Sequence, residues 1–318
     1  MFETLPQVSE RRLGIRITAD ALRHVRAGHP WVFDESVISV SHEGAEGDLA
    51  VIFDNDRRFV AIGLYDPNGP IAIRILHVGK PATIDVDFWT QAIVAARKIR
   101  QPLVDAESAG RPAFRLINGE NDGLPGFVVD RYNTTLVVKL YSSVWFAHLA
   151  LLTDALLATS DATSVVLRLG RNVAAGETYG LDDGDVIAGE IPDGPVLFTE
   201  GGLAFEADVR AGQKTGHFLD QRANRLRLGR LSCDRDILDV FASTGGFSVH
   251  AAAGGARSVH SVDISAPTLA VAERNMVLNT ARAEVAACKH TTEVGDAFDV
   301  MIALARAGKT YDIVIVDP

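Results

Sequence analysis

Cysteine is nearly absent. Cys233 and Cys288 are the two thiols in 318 residues, too few for a disulfide framework and without the spacing of a zinc site. No apolar run approaches the ~18 residues of a membrane span, and the opening MFETLPQVSERR lacks the apolar core of a secretion signal. A cytoplasmic chain without membrane contact is expected. An excess of basic residues is missing too: 31 Lys and Arg face 41 Asp and Glu, a formal net charge of −10. That balance argues against a general nucleic-acid coat, because neutralising phosphates needs clustered cations. The cations present do cluster, with Arg11, Arg12, Arg16, Arg23 and Arg26 in one island and Lys214, Arg222, Arg225, Arg227 and Arg230 in another. Such islands suit local contact with a polyanion, or equally the solvated faces of amphipathic helices.

Hydrophobic content of 47% and charged content of 23% are ordinary globular values, and the length allows two or three domains. Residues 1–80 read as a β-rich domain, with strand candidates at Ile15–Ile17, Leu49–Phe53, Phe59–Leu64 and Ile71–Leu76 and a short helix near Ala19–Ala27. In His29-Pro-Trp-Val-Phe33 the two rings alternate, so one face of an extended segment carries both Trp31 and Phe33, and core placement is expected. Residues 81–200 read as an α+β domain. It opens with a helix near Asp87–Arg100 whose Phe88, Ala92, Ala95 and Ile99 recur at helical spacing, and a strand, strand, helix, strand pattern follows to Leu169. Glu120 and Asp122, in the tight turn between the first two strands, are expected to satisfy local backbone groups.

Residues 201–318 carry the most informative stretch, Asp236 to Ser265. The run Ile237, Leu238, Val240, Phe241 suits a strand buried on both faces of a parallel sheet. Gly245 and Gly246 then turn the chain toward a small-residue helix, and a second strand, Ser258–Val262, closes on Asp263. This is a βαβ unit with an acid at the end of its second strand, the arrangement that holds ribose hydroxyls. The dinucleotide pattern Gly-x-Gly-x-x-Gly is lacking, so a seated pyrophosphate is weakly supported. Asp239, at the first strand's end, would repel a phosphate and pair with an ammonium. S-adenosylmethionine carries an ammonium, a sulfonium and a ribose without phosphate, and fits better than NAD. Ser265 and Pro267 open a further helix that puts Asn275 and Asn279 on one face, Val285–Ala287 is the candidate third strand, and Tyr311–Val316 the fourth. Asp239, Asp263, Asp296 and Asp317 would then converge on the carboxyl rim of one sheet. With about three strands of a complete sheet unaccounted for, the chain reads as truncated within this domain.

The chain resembles the RlmI-type ribosomal RNA cytosine-C5 methyltransferases. The resemblance covers nearly its whole length and rests on His-Pro-Trp-Val-Phe from His29, Gly-Glu-Asn-Asp-Gly-Leu-Pro-Gly from Gly119, Lys-Thr-Gly-His-Phe-Leu-Asp-Gln-Arg from Lys214, Phe-Ala-Ser-Thr-Gly-Gly-Phe from Phe241, Ser-Val-Asp from Ser261, and the final Asp-Pro. It implies a multidomain protein: an N-terminal PUA domain, a middle α+β domain and a Rossmann-like α/β domain for S-adenosylmethionine. It further implies that Asp239, Ser243 and Gly245 line the methionine end of the cofactor, that Asp263 takes the ribose and that Asp296 and Ala297 lie beside the adenine. Phe218, Asp220, Gln221 and Arg222 would close over the cofactor, and Asp317 would face the target base.

The implied chemistry needs a thiolate to attack C6 of the pyrimidine and make C5 nucleophilic. In the family that cysteine follows Asp-Pro-Pro, beyond this sequence. Cys233 precedes the first strand and Cys288 falls in or just after a strand, so both are expected to be inert. The nucleophile is left unassigned. Large-subunit ribosomal RNA is the expected partner, with a second copy of the chain as a further candidate. Two other readings stay open: a ribosomal RNA guanine-N7 methyltransferase, which needs no cysteine, and a PUA-type RNA-binding protein that no longer catalyses.

Overall fold

The computed structural model describes residues 2–107 and 110–317. The chain forms two units: Met1–Val104, Phe114–Asp193 and Val209–Ala211 make up one, and Asp105–Ala113, Gly194–Asp208 and Gly212–Pro318 the other.

The first unit holds two sheets. β1 (Leu13–Ile17), α1 (Ala19–Arg26), β2 (Trp31–Phe33), β3 (Val37–Val40), β4 (Leu49–Phe53), β5 (Phe59–Tyr65) and β6 (Ile71–Val78) come first, and their strands form one sheet in the order β2-β6-β5-β4-β1-β3. Thr18 caps α1 by accepting from the Ala21 amide at 3.3 Å. α2 (Val86–Asp105) leads to β7 (Ala113–Asn118), β8 (Phe127–Tyr132), β9 (Thr135–Leu140), α3 (Leu149–Ala158), β10 (Ser164–Leu169), α4 (Arg171–Ala174) and β11 (Val186–Ala188), whose strands order as β11-β10-β9-β8-β7. A continuous apolar cluster joins Leu49, Ile62 and Leu64 of the first sheet with Trp89 of α2 and Trp145 before α3.

Two expectations fail here for packing reasons. The buried stripe of α2 is Trp89, Ile93 and Ala96, one position on from the stripe read in the sequence, and Ile99 is 69% exposed. Trp89 packs edge-on against Trp145 and His148, and its bulk sets the helix rotation. Trp31 and Phe33 do share a face, with rings 6.3 Å apart, but it is the outer one: Val32 is buried while Phe33 is 40% exposed. In the turn before β8, Asp122 accepts from the Asn118 amide and pairs with both Arg100 guanidinium nitrogens at 2.6 Å, whereas Glu120 accepts from the Trp31 indole at 3.2 Å.

The second unit begins with a hairpin, β12 (Val196–Glu200) and β13 (Leu203–Ala207). Then follow α5 (Arg222–Leu231), β14 (Asp236–Val240), α6 (Gly246–Ala253), β15 (Ser258–Asp263), α7 (Ala266–Val277), α8 (Ala283–Ala287), β16 (Lys289–Val294), α9 (Ala297–Arg306) and β17 (Ile313–Val316). The last four strands form a parallel sheet ordered β16-β15-β14-β17. Chain direction across the sheet reverses between β14 and β17, the switch point at which such sheets bind ligands. Ile237 and Val259 pack on one face with Ala251 of α6, and Leu238, Val240 and Val262 on the other with Val300 of α9.

Val285–Ala287 is helical, and the third strand is the polar run Lys289–Val294. Because β16 is an edge strand, its Thr291 and Thr292 supply β-branched backbone preference without an apolar core pattern. The strand expected at Ala204–Val209 runs over Leu203–Ala207. Asn275 and Asn279 do share a buried face, one turn apart on and just after α7. Asn275 Oδ1 accepts from the Glu206 amide at 2.9 Å and Asn279 Oδ1 from the Ala204 amide at 2.8 Å, so the pair fixes β13.

Candidate cofactor site

The turn after β14 is wound in the left-handed region at Phe241 (φ 63°), Ser243 (φ 49°) and Gly245 (φ 76°). Two of these are not glycine, a conformation that costs energy and is typical of ligand-binding turns. What holds it is Asp263 at the tip of β15, whose Oδ2 accepts from the Ser243 amide at 2.8 Å while Oδ1 accepts from the Ser265 amide at 2.9 Å. Asn275 Nδ2 donates to the Thr244 carbonyl at 2.9 Å, tying the same turn to α7.

Gly246 lines the cavity that opens here, and both glycines also serve packing. A Cβ on Gly245 would lie 2.7 Å from Ala272 Cβ on α7, and one on Gly246 would lie 2.9 Å from Arg225 Cδ.

A cavity of about 420 Å³ opens at this rim, a size that suits a small-molecule cofactor. Of the residues predicted from sequence, Phe218, Asp220, Gln221, Ser243, Asp263 and Asp317 line it. Gln221 reaches across to Asp317, donating from Nε2 to Oδ1 at 3.3 Å. Lys214 Nζ sits 4.3 Å from the centre of the Phe218 ring and 3.1 Å from Asp220, holding the segment before α5 in shape.

The other predicted residues lie elsewhere. Arg222 points to the buried Glu107, 3.8 Å away. Asp296 caps α9, accepting from the Phe298 and Asp299 amides at 2.9 and 3.2 Å, and Ala297 is packed in the core beside Val240. Gly245 is turned to α7. Asp239 is 1% exposed and is not among the residues that line the cavity. The four strand-end acids therefore do not converge as a ring: Asp263 and Asp317 face the cavity, Asp239 is buried, and Asp296 is spent on a helix N-terminus.

Asp239 is the most perturbed of these acids. Burial, with the charges of Asp317 and Asp263 acting the same way, pushes its carboxyl up to about 7. Ser248 Oγ donates to it at 2.6 Å. A buried carboxyl of this kind is costly to ionise without a cation nearby, so the donor set suits a cationic ligand and disfavours a phosphate.

His217, Arg225, Phe241 and Thr244 also line the cavity and were not named from sequence as site residues. His217 belongs to the motif from Lys214, and burial with the Arg225 charge lowers its imidazole to about 3. Arg225 had been counted in a basic island, yet it is buried and forms a bidentate pair with Glu200, both bonds 2.6 Å. Its Nη1 donates to the Phe218 carbonyl at 2.8 Å, fixing that residue over the cavity. With Lys214 on Asp220, part of this island is committed to internal pairs, while Arg227 and Arg230 are exposed.

Neither cysteine reaches the rim. Cys233 precedes β14 and Cys288 directly precedes β16, at the amino ends of the strands, rather than in or after a strand. Burial raises the Cys288 thiol to about 11. Pro318 of the terminal Asp-Pro lies outside the described residues.

Known proteins resemble this chain in family and fold. Residues 15–77 match the model of a PUA-like domain, and residues 117–318 that of an S-adenosylmethionine-dependent methyltransferase. A ribosomal RNA large subunit methyltransferase of Deinococcus radiodurans is 46% identical over 98% of this chain and 76% of its own length. A ribosomal RNA large subunit methyltransferase I of Aeromonas salmonicida is 32% identical over 91% of this chain and 72% of its own. Among solved structures, a Streptococcus mutans protein described as a SAM-dependent methyltransferase shares the fold, with TM-score 0.78, 21% identity and coverage of 96% of this chain and 76% of that one. A methyltransferase complexed with SAH has TM-score 0.79 at 20% identity, covering 96% of this chain and 76% of that one.

Proposed function

Because the chain belongs to the S-adenosylmethionine-dependent methyltransferases, we propose that it directs methyl transfer to C5 of a cytosine in large-subunit ribosomal RNA. The observation that carries the cofactor half is Asp263 on the cavity wall, near enough to the buried Asp239 for its charge to help raise that carboxyl. The RNA half is supported by the names of the relatives and by the PUA-like match. The cytosine and its C5 rest on the motif resemblance.

When bound, the cofactor supplies an electrophilic methyl group on its sulfonium. The chain's own residues bind and orient. Each Asp263 oxygen holds one backbone amide and keeps a lone pair for a ribose hydroxyl. Asp239 receives the ammonium, and Ser243 lies at the same end. Phe218, with Asp220 and Gln221, covers the cofactor and excludes water. Asp317, steadied by Gln221, faces the target base. Arg222, Gly245, Asp296 and Ala297 act indirectly, by shaping the turn and helix ends around the cavity. Cys233 and Cys288 take no part in attack at C6.

In this reading residues 1–80 are the PUA-like RNA-binding domain, 81–200 the middle domain and 201–318 the cofactor domain. The protein works in the cytoplasm, and sedimentation is expected to show whether it pairs with a second copy. Titration calorimetry should show one molecule of S-adenosylmethionine bound per chain. RNA binding without cofactor binding would instead leave an RNA-binding module. Transfer from tritiated cofactor to unmodified ribosomal RNA, by protein that includes the cysteine placed after Asp-Pro-Pro in the family, followed by nucleoside analysis, should give 5-methylcytidine. Recovery of 7-methylguanosine would replace the cytosine assignment.

A further inference from the structure

A hydrogen-bonded row buried under α6 crosses three strands. Ser248 Oγ donates to Asp239 Oδ2 at 2.6 Å, Ser248 Oγ lies 2.7 Å from Ser261 Oγ, and Ser261 Oγ lies 2.8 Å from His290 Nε2. Register accounts for the row. Asp239 stands beside Ser261 across β14 and β15, and Thr292, two residues past His290, stands beside Ser261 across β15 and β16. Alternation puts all three strand residues on one face, the one that Ser248 of α6 covers. Asp239, Ser248 and Ser261 are buried, and His290 is half-buried.

Each hydroxyl has one proton to donate. When Ser248 gives its proton to an Asp239 carboxylate, Ser261 must donate to Ser248. The contact with His290 is then a hydrogen bond only if Nε2 carries a proton. When Nε2 is bare, Ser261 turns outward to it. Ser248 then has to donate to Ser261, and Asp239 is satisfied as the acid that donates to Ser248. The row has two polarities, and its His290 end selects between them.

We propose that His290 is a positioning residue for cofactor binding: an Nε2–H, relayed through Ser261 and Ser248, holds Asp239 as the carboxylate that receives the ammonium. The proposal rests on the reading of Asp239 given above. Reversing the row moves the Asp239 proton to Ser248, the Ser248 proton to Ser261 and the Ser261 proton to Nε2, while the Nδ1 proton passes to solvent; nothing is oxidised or reduced. Burial favours the acid form of Asp239, and the charges of Asp317 and Asp263 act the same way. Burial lowers the His290 imidazole below its usual value, with Glu273 of α7 opposing and the neighbouring His260 adding to the shift. Polarity and the titration of Asp239 near 7 thus concern the same proton.

The test is calorimetric titration of the full chain with S-adenosylmethionine from pH 5.5 to 8.5. Wild type should lose affinity about tenfold per pH unit below the Asp239 midpoint, as loss of one proton-linked charge requires. His290→Glu, a pure acceptor, should move that midpoint upward and weaken binding at pH 7 by about tenfold, the equivalent of one pKa unit. His290→Gln, whose amide donates, should keep the wild-type profile. In a Ser261→Ala background the His290→Glu change should be silent. Equal midpoints in wild type and His290→Glu, or a uniform loss at every pH in all variants, would overturn the proposal. Asp239→Asn separates the two layers. If that variant keeps wild-type affinity and profile, the Asp239 reading itself fails; if it abolishes the pH dependence while His290→Glu moves nothing, the relay alone fails.

Discussion

Asp263 and Asp239 have opposite surroundings and so opposite mutational signatures. Asp263 is part-exposed and holds two backbone amides. Asp263→Ala is expected to release the Ser243 turn and lower cofactor affinity at least tenfold by calorimetry, while leaving the sheet folded. Asp239 has its folded-state value raised above the 3.8 of an unfolded chain to about 7. Between those pH values the folded protein keeps a proton that the unfolded chain has released, so stability falls as pH rises through the window and stays low above it. Asp239→Asn should therefore raise the melting temperature of the cofactor-free protein at pH 8, by up to ~4 kcal/mol in stability. That gain should vanish near pH 4, and cofactor binding should be lost at both. Asp263 was legible in sequence because an acid closing the second strand of a βαβ unit has a known use. The burial of Asp239 was not, because it depends on Ser248 and the packing of α6 over β14.

At the scale of elements, the turn between β14 and α6 is wedged against its neighbours. Gly245 combines φ 76° with a Cβ position 2.7 Å from Ala272. Gly245→Ala should destabilise the second unit by about 1–3 kcal/mol and weaken cofactor binding. Adding Ala272→Gly should recover part of the stability, since it relieves the contact and leaves the φ strain, and denaturant titration resolves the two. The hairpin β12–β13 is tied to α5 through Glu200 and Arg225, both buried. Breaking that pair by Arg225→Met strands a buried carboxylate and should cost about 3–5 kcal/mol. Because Arg225 also fixes the Phe218 carbonyl, cofactor affinity should fall with it. Helix positions were readable from Ser265, Pro267 and the apolar spacing. The α2 stripe was misplaced by one position because ranking Phe88 against Trp89 needs the rings they meet.

For the whole molecule, the exposed aromatic cluster of the first unit is the surface on which RNA contact can be tested. His24, His29, Trp31 and Phe33 form a ladder of rings with neighbouring centroids 6.0–6.3 Å apart, and rings of this kind stack on unpaired bases. Phe33→Ala should weaken binding of single-stranded ribosomal RNA fragments, by the ~1–3 kcal/mol typical of one stacked base, without altering binding of S-adenosylmethionine. Arg26, in the basic island beside this cluster, is paired with Asp54 at 2.8 Å, so Arg26→Ala should change the salt dependence of RNA binding little. Counting cations along the chain could not tell Arg26 and Arg225 from unpaired surface charges, because their partners Asp54 and Glu200 are distant in sequence.

The sequence alone determined the βαβ unit from Asp236 to Asp263, the helix opened by Ser265 and Pro267 and the last strand before Asp317, since these follow from local periodicity, capping and turn chemistry; the polar edge strand Lys289–Val294 and the strand Val196–Glu200 do not. The tertiary structure decided which acids share a cavity and which cap a helix. It also decided whether an arginine is a surface charge or a buried tie, and whether an aromatic pair faces core or solvent. Those outcomes are set by desolvation and by contacts between residues far apart in the chain, and neither quantity is written in local order.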